Sequence, residues 1–282
     1  MTDRSPQNAQ SPRRPNISAY DIPTRDKIPV IQAVMAPSGE GLALDIGIGT
    51  GYTTDQVFGD RTTVCVDLHM PNLVSYRRRA AVVDGTAHRF CVVARASQLP
   101  FKCDTFRFAL CSEVLEHLED DDEAVAELTR VLARHGRAVI TVPYTGLGLT
   151  SFLELFKVKT VHDVPGPEFH VRPGYNERSM EALLRRHGLD IEQRAYYLRF
   201  FTRLMTDVVS VAHLVYQRVV RRRQAWNWAD VTAEEHTVAF RLYTTCFFPV
   251  LWAVCLLDRL LGWTQGFGLV VAVRRRGEDA AE

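Results

Sequence analysis

The sequence lacks the features of several common protein classes. Its 282 residues carry a formal net charge of only +1, so no strong positive field is available to attract nucleic acid. None of its six cysteines lies in a Cys-x-x-Cys pair, and the N-terminus has no apolar secretory segment. We therefore expect free thiols and a cytoplasmic location. No set of His, Cys or acidic residues has metal-ligand spacing along the chain, which predicts no metal.

Two sequence motifs of common enzyme classes are also missing, whereas a regular alternation of strands and helices is present. There is no Gly-x-Ser-x-Gly of a serine hydrolase and no Gly-x-Gly-x-x-Gly of a dinucleotide fold. Short apolar runs alternate instead with helical segments, which is typical of a parallel sheet. The runs are Gly41–Ile46, Thr62–Asp67, Arg89–Ala94, Phe106–Cys111, Arg137–Val142, Leu189–Tyr197 and Gly268–Val273. A helix is predicted from Asp120 to His135, before Gly136.

These runs predict an α/β fold. We expect a Rossmann-like, doubly wound, seven-stranded sheet with a helical insertion between its last two strands. The predicted divisions are a disordered tail (1–19), a ligand-binding core (20–197), an apolar helical insertion or lid (198–267), a closing strand of the core (268–276) and a second tail (277–282).

The glycine-rich segment after the first strand is the clearest sign of a ligand site. Asp45 is followed by Gly47, Gly49 and Gly51, and glycines let a backbone approach a ligand closely. Ligands of open α/β sheets bind at the carboxyl ends of the strands. Asp67 ends the second strand, where an acid can accept hydrogen bonds from both hydroxyls of a ribose. NAD enzymes use the same device, so Asp67 alone leaves the nucleotide open.

The stretch Leu42–Pro143 resembles the domain of small class I S-adenosylmethionine (SAM)-dependent methyltransferases, including ubiquinone/menaquinone-type and lipid methyltransferases. The pieces that carry the resemblance are LALDIGIGTG, VCVDLH, ASQLPF, FALCSEVLEHL, ELTRVLARHGRAVITVPY and, later, MEALLRRHGL. The resemblance implies SAM as the cofactor, with Asp45 toward its ammonium group, directly or through water. The implied cofactor residues are Asp45, Gly47, Ile48, Gly49, Gly51, Asp67, Leu68, Ala96, Ser97, Cys111 and Ser112. Arg95 departs from the family, which often has an aspartate there for the adenine amino group.

Methyl transfer from a sulfonium is a direct displacement, so alignment is a large part of the mechanism. An acceptor hydroxyl, phenol or acidic carbon would also need a base. The candidates are His170, His117 and Tyr144, with His162, Asp163 and Tyr175 as further possibilities. His170 lies in the irregular segment Thr145–Tyr175, which we expect over the carboxyl edge of the sheet. A structural role for His117 stays open.

The insertion 198–267 leaves three interpretations open. It is a cap of helices packed on one another, a lid or membrane-surface platform for a lipid-like substrate, or a membrane span. Arg218 and Arg221–Arg223 favour contact with anionic lipids. The apolar run Leu242–Leu257 is short for a span, and Pro249 interrupts it.

The sequence as a whole predicts a SAM-dependent methyltransferase acting on a hydrophobic or lipid-like small molecule, without a nucleic acid partner. We expect a cytoplasmic location. The apolar insertion indicates a possible position at the inner face of a membrane. The alternatives are a non-catalytic SAM-binding or membrane-associated adaptor and an NAD-dependent oxidoreductase. Neither the acceptor atom nor the oligomeric state follows from the residues.

Overall fold

Seven strands form one sheet. The computed structural model describes residues 17–35, 39–80, 88–148, 151–156, 170–219 and 238–277. The strands are β1 Ala43–Ile46, β2 Thr63–Asp67, β3 Arg89–Val93, β4 Phe106–Ser112, β5 Leu132–Pro143, β6 Leu189–Tyr197 and β7 Gly268–Arg275. Their order is β3-β2-β1-β4-β5-β7-β6, and β7 runs antiparallel to both of its neighbours. The predicted seven-stranded α/β sheet is confirmed.

Helices cover both faces of this sheet. They are α1 Ile22–Met35, α2 Tyr52–Phe58, α3 Met70–Ala80, α4 Asp121–Val131, α5 Glu177–Arg186, α6 Phe200–Val219, α7 Val238–Leu242 and α8 Phe248–Cys255. Shorter 3₁₀ segments are Ile17–Tyr20, Leu115–His117, Phe152–Phe156 and Leu256–Leu261, and a π-helical turn, Tyr243–Phe247, joins α7 to α8. Side chains alternate along β4, as a strand requires. Ala109 and Cys111 pack with α4 and α5, whereas Phe108 and Leu110 pack with α1.

Two predicted boundaries were wrong. The helix expected to reach His135 ends at Val131, and the backbone is already extended at Leu132. Leu132 pairs with Phe106 of β4, so sheet pairing overrides the local helical pattern. At the N-terminus, the tail expected up to residue 19 contains the 3₁₀ segment Ile17–Tyr20, in which Ser18 is buried.

The topology places the insertion beside the expected ligand site. Strands β1 to β5 are parallel and end at one edge. Tyr197 and Pro143 both pair with Gly268, so β6 ends at that same edge and β7 starts there. Residues 198–267 therefore leave and re-enter the sheet at its carboxyl edge. The side chain of Arg218, and Arg221–Arg223, lie outside what the structure describes.

The apolar run in the insertion is longer than the sequence pattern indicated. Within the described part of the chain, one helix is long and apolar enough to cross a membrane by length and composition, the 22 residues Phe240–Leu261. We call it the apolar helix. Pro249 stands in the first turn of α8, after the π-helical turn, where a proline is compatible with helical backbone. The prediction that the run is too short for a span was therefore wrong.

The apolar helix is attached to the domain along one side. Phe248 and Cys255 are buried against Ile22, and Met205 and Val209 of α6 pack on this cluster. At its end, the buried Asp258 carboxylate accepts hydrogen bonds from the backbone amides of Phe201 and Thr202 at 2.9 and 2.7 Å. Only 11% of its most apolar stretch is buried in the molecule.

Candidate functional site

The three glycines after β1 serve two different purposes. Gly47, Gly49 and Gly51 all have positive φ, at 76°, 52° and 73°. A Cβ at Gly47 would lie 2.4 Å from Val114, and one at Gly51 would lie 2.2 Å from the Tyr76 ring. These two glycines make room for the protein itself. A Cβ at Gly49 would meet no atom of the described residues within 4 Å, so of these three glycines the middle one faces open space where a ligand can approach.

Asp67 holds this loop from the end of β2. Its carboxylate accepts hydrogen bonds from the Gly49 amide at 3.1 Å, the His69 amide at 2.8 Å and the Asn72 side chain at 3.1 Å. Three of the roughly four acceptor positions of a carboxylate are thereby filled. In this arrangement Asp67 can consequently accept a hydrogen bond from one ligand hydroxyl. Its position at the end of β2 had predicted that it would accept hydrogen bonds from two.

Asp45 lies in the buried strand β1 and faces the protein. It is 3% exposed, and its carboxylate accepts a hydrogen bond from the Thr54 hydroxyl of α2. Burial raises its pKa to about 7, against the lowering effect of the Thr54 bond. Asp45 therefore fixes α2 to β1. Burial leaves little access for a direct contact with a ligand ammonium, one of the two options the sequence offered.

The residues expected beside adenine divide into exposed and buried ones. Leu68 is 52% exposed at the carboxyl edge, as a surface for an aromatic ring should be. Ala96 and Ser97 are half-buried in a turn closed by a 3.1 Å bond from the Gln98 amide to the Arg95 carbonyl. Arg95 itself is exposed.

The other predicted cofactor residues have packing as their first role. Ile48 is buried in a cluster with Leu73 and Tyr76. Cys111 is buried in the core, and burial raises the pKa of its thiol. Ser112 is half-buried, with its hydroxyl 3.0 Å from the Thr141 hydroxyl. These side chains support the floor of the site at the end of β4.

An N-terminal contact that the sequence did not indicate closes one side of the glycine loop. The Ser18 hydroxyl lies 2.8 Å from the Thr50 hydroxyl, and both residues lie at least partly buried. Arg79 donates to the Thr50 carbonyl from α3. Two residues after Ser18, the Tyr20 carbonyl accepts a 3.1 Å hydrogen bond from the Tyr243 hydroxyl of the apolar-helix segment. No pattern in the sequence links serine 18 with threonine 50.

Two of the three catalytic candidates lie together. The rings of His117 and His170 meet edge to face with their centroids 4.7 Å apart. Tyr144 is only 4% exposed and packs edge-on against Tyr196, a position that suits the core better than a reacting group. Tyr175 is buried and donates to Asp121 at 2.6 Å. His162 and Asp163 lie outside the described residues.

The backbone brings His170 to its partner. The amide of Val171 donates to the Glu116 carbonyl at 2.9 Å. The Arg172 guanidinium pairs with Asp121 and donates to the Leu118 carbonyl at 2.7 Å. The loop end is thus attached to the segment after β4, as expected of a loop over the carboxyl edge.

Two carboxylates in the same segment were not singled out by the sequence analysis. Glu113 has a positive φ of 57°, unusual for a side chain of this kind. Its carboxylate accepts hydrogen bonds from the hydroxyls of Thr141 and Tyr197 at 2.7 and 2.6 Å. Glu116 is fully buried, and neither carboxylate oxygen has a hydrogen-bond partner among the described residues. The signal available was the spacing Glu-x-x-Glu-His in the stretch EVLEH.

Comparison with known proteins agrees with this geometry. Residues 44–140 match a family described as a methyltransferase domain. A demethylmenaquinone methyltransferase of Thermobifida fusca is 36% identical over 113 residues, 39% of this chain and 46% of that protein. An uncharacterised protein of Methanocaldococcus jannaschii is 29% identical over 112 residues, 40% of this chain and 49% of that protein. The chain therefore spans about half the length of the curated relatives that it matches.

Solved structures share the fold at low identity. A putative methyltransferase of Bacillus halodurans has a TM-score of 0.56 at 16% identity, over 89% of this chain and 99% of that one. A geranyl diphosphate methyltransferase in complex with SAM has a TM-score of 0.53 at 14% identity, over 88% and 84%. The [4+2]-cyclase SpnF has a TM-score of 0.54 at 16% identity, over 88% and 79%. The family match, the strand order and the glycine loop lead to one conclusion: residues 44–140 belong to a methyltransferase domain of the class I SAM-dependent type, a family whose cofactor is SAM.

Proposed function

We propose that this protein transfers the methyl group of SAM to a hydrophobic small molecule at the surface of a membrane. The observation that carries the transfer is the open backbone at Gly49, held by Asp67 at the carboxyl edge of the sheet. SAM supplies an electrophilic methyl on a sulfonium. In the transfer, a lone pair of the acceptor forms a bond to the methyl carbon, the carbon–sulfur bond breaks, and S-adenosylhomocysteine leaves. An acceptor that begins protonated releases its proton.

The residues of this chain contribute chiefly by placement. Backbone amides of the glycine loop and one acceptor position on Asp67 orient the cofactor, and exposed Leu68 offers an apolar surface to the adenine ring. We assign His117 and His170 to the acceptor side; the support is that Val114, in the same segment as His117, lies directly against Gly47. Placement of this kind accounts for several kcal/mol of rate enhancement in displacement reactions, roughly 7–11 kcal/mol at the upper end.

Apolar side chains around the same edge support a hydrophobic acceptor. Leu155 and Phe156, in the 3₁₀ segment after β5, are 66% and 76% exposed, and Phe200 at the start of α6 is 49% exposed. Phe152 joins these elements by packing edge-on against Phe200 and Phe267. A water-soluble acceptor would gain nothing from such a rim. The match to a demethylmenaquinone methyltransferase is in keeping with this choice.

The apolar helix supports the membrane location. Its exposed large apolar side chains include Leu242, Phe247, Val250, Leu257 and Leu260, and Trp263 follows at 83% exposure. The helix is fixed to α6 through Asp258 and to Ile22 through Phe248. Because one side is packed on the domain and the other is apolar and exposed, we infer that it lies in the interface of a bilayer rather than across it.

Calorimetric titration with SAM, S-adenosylhomocysteine and NAD tests the cofactor part of the proposal. We expect binding of the two adenosyl ligands and none of NAD. The transfer itself is tested with radiolabelled SAM and a panel of quinols, phenols and lipids in vesicles. SAM binding without transfer to any of them would favour the adaptor alternative, whereas binding of NAD alone would favour an oxidoreductase.

A further inference from the structure

A cluster of three possible metal ligands lies in and near the segment after β4, which contacts the glycine loop through Val114. Glu116, His117 and His170 each present one ligand atom, and these atoms all lie within 4.8 Å of one another. We propose that these three side chains form a site for a divalent transition-metal cation, with zinc as the best match. The prediction of no metal depended on spacing along the sequence, which does not reveal a ligand that a distant loop brings in.

Glu116 is the strongest reason for this proposal. Its side chain has no exposure, and both carboxylate oxygens lack a hydrogen-bond partner among the described residues. A buried carboxylate without partners is costly, and such groups normally pair or coordinate a metal. A bound cation would supply the missing partner.

The two histidines complete a recognised donor set. One carboxylate with two imidazoles is the ligand set of several catalytic zinc sites, which leave a further position open. The same set with open positions also suits ferrous iron. Ligand atoms on one zinc ion, each about 2.0–2.2 Å from the metal, lie closer together than 4.8 Å. Because 4.8 Å is the upper limit of their present separation, rotation of the half-buried imidazoles suffices to bring the ligand atoms onto one ion.

The surrounding structure holds the three ligands in place. The Glu116 carbonyl accepts the amides of Val171 and Arg172 at 2.9 and 3.3 Å, so the main chain that carries His170 is joined to the main chain that carries Glu116. The ion pair between Arg172 and Asp121 strengthens the same junction. The main chains that carry Glu116 and His170 are therefore held next to each other.

The location gives the cation a consequence for chemistry. The segment that carries Glu116 and His117 lies against Gly47 through Val114. A cation there would be adjacent to the acceptor side, and a Lewis acid favours deprotonation of an oxygen acceptor. This consequence depends on the proposed function, whereas cation binding does not, because binding is measured without SAM or acceptor. Zinc binding without methyl transfer would support the cation site and contradict the proposed function.

The test is titration of EDTA-treated protein with zinc chloride, followed by calorimetry and metal analysis. We expect about one zinc ion per chain, with the affinity lowered at least about tenfold in Glu116→Gln and in His170→Ala. The matched controls are Glu119→Gln and His88→Ala, which change exposed residues of the same types. They should bind zinc as the wild type does.

Two results would overturn the proposal. One is a wild-type protein that takes up no zinc, and the other is undiminished zinc affinity in both ligand variants. If a variant fails to fold, X-ray absorption of the zinc-loaded wild type still decides the matter. Two imidazole ligands in the scattering pattern would support the site, and no imidazole ligand would refute it.

Discussion

The Gly49 amide donates a 3.1 Å hydrogen bond to the Asp67 carboxylate, so the end of β2 fixes the backbone of the loop that follows β1. The bond fixes the orientation of the one glycine of this loop whose Cβ position is unobstructed by the described residues. A change at Asp67 should therefore act on the loop as well as on any ligand hydroxyl.

Asp67→Ala should weaken SAM binding. Loss of the acceptor for Gly49 and for a ribose hydroxyl should raise the Kd at least about tenfold, which corresponds to roughly 1.4 kcal/mol. Calorimetric titration measures the change. Asp60→Ala, at an exposed aspartate after α2, is the control and should bind normally. An unaltered Kd in Asp67→Ala would remove Asp67 from the site.

The pair Gly49→Ala and Gly51→Ala separates ligand contact from packing. Both glycines have positive φ, so each alanine costs about 1–2 kcal/mol of strain. At Gly51 the new methyl also collides with the Tyr76 ring, which should add about 1–3 kcal/mol of destabilisation.

Urea unfolding and SAM titration distinguish the two variants. Gly49→Ala should keep most of its stability and lose SAM binding, because its methyl enters the open space. Gly51→Ala should show the larger loss of stability. Equal stability losses with intact binding in Gly49→Ala would contradict this division of roles.

Asp45 should give the protein a pH-dependent stability. The pKa of this carboxyl is about 7 in the fold, above its ordinary value of 3.8. The folded state therefore binds more protons than the unfolded state between these values, and stability must fall as the pH rises from about 4 to about 7. Asp45→Asn removes this contribution.

The difference in Tm between wild type and Asp45→Asn, followed from pH 4 to pH 8, measures the effect. The Tm of the wild type should fall relative to that of the variant as the pH rises to about 7, and the difference should stay constant above that pH. A difference that does not change with pH would mean that Asp45 titrates as an ordinary aspartate.

Charges on the apolar helix should abolish membrane contact. Phe247 and Leu260 are 63% and 67% exposed, so glutamates there need not disturb the core. In flotation with anionic vesicles, we expect the wild type to rise with the lipid and Phe247→Glu/Leu260→Glu to stay below. The control Gln56→Glu/Gln193→Glu adds the same charge at exposed polar positions. A wild type that remains with the protein fraction would end the membrane part of the proposal.

Arg172 should matter for stability and for zinc. Arg172→Ala removes the ion pair with Asp121 and the bond to the Leu118 carbonyl, at a cost of about 1–3 kcal/mol. Arg172→Lys should recover little, because an ammonium lacks the planar fork. Urea unfolding gives the first effect, and zinc titration should show weaker binding, since His170 is less firmly held. Arg178→Ala, at an exposed residue of α5, serves as the control.

The fold could be predicted because its signals are local. Apolar runs such as Thr62–Asp67 are strands of the observed sheet nearly as drawn. The end of α4 could not be predicted in this way, since Leu132 leaves the helix to pair with Phe106. Pairing between distant segments has no local signature when the sequence pattern still favours a helix.

The candidate site was predictable to the level of backbone but not of side-chain partners. The glycine loop, Asp67 and the two histidines occupy the expected edge of the sheet. Sequence could not show that Asp45 bonds Thr54, or that the Glu116 carboxylate has no hydrogen-bond partner in the described part of the chain, because both facts depend on packing. The meeting of His117 with His170 needed the loop after β5, whose course no periodicity describes.

The short segment from Ser18 to Ile22 contacts both the glycine loop and the apolar helix. Ser18 meets Thr50 in the glycine loop, and Tyr20 packs on Phe248 with ring centroids 5.3 Å apart. If the apolar helix binds a bilayer as proposed, a displacement of this segment on binding would alter the glycine loop, and a change in the loop would alter the apolar helix. Thermodynamic linkage makes such an effect reciprocal. If a bilayer changes the affinity for SAM by some factor, SAM must change the affinity for the bilayer by the same factor.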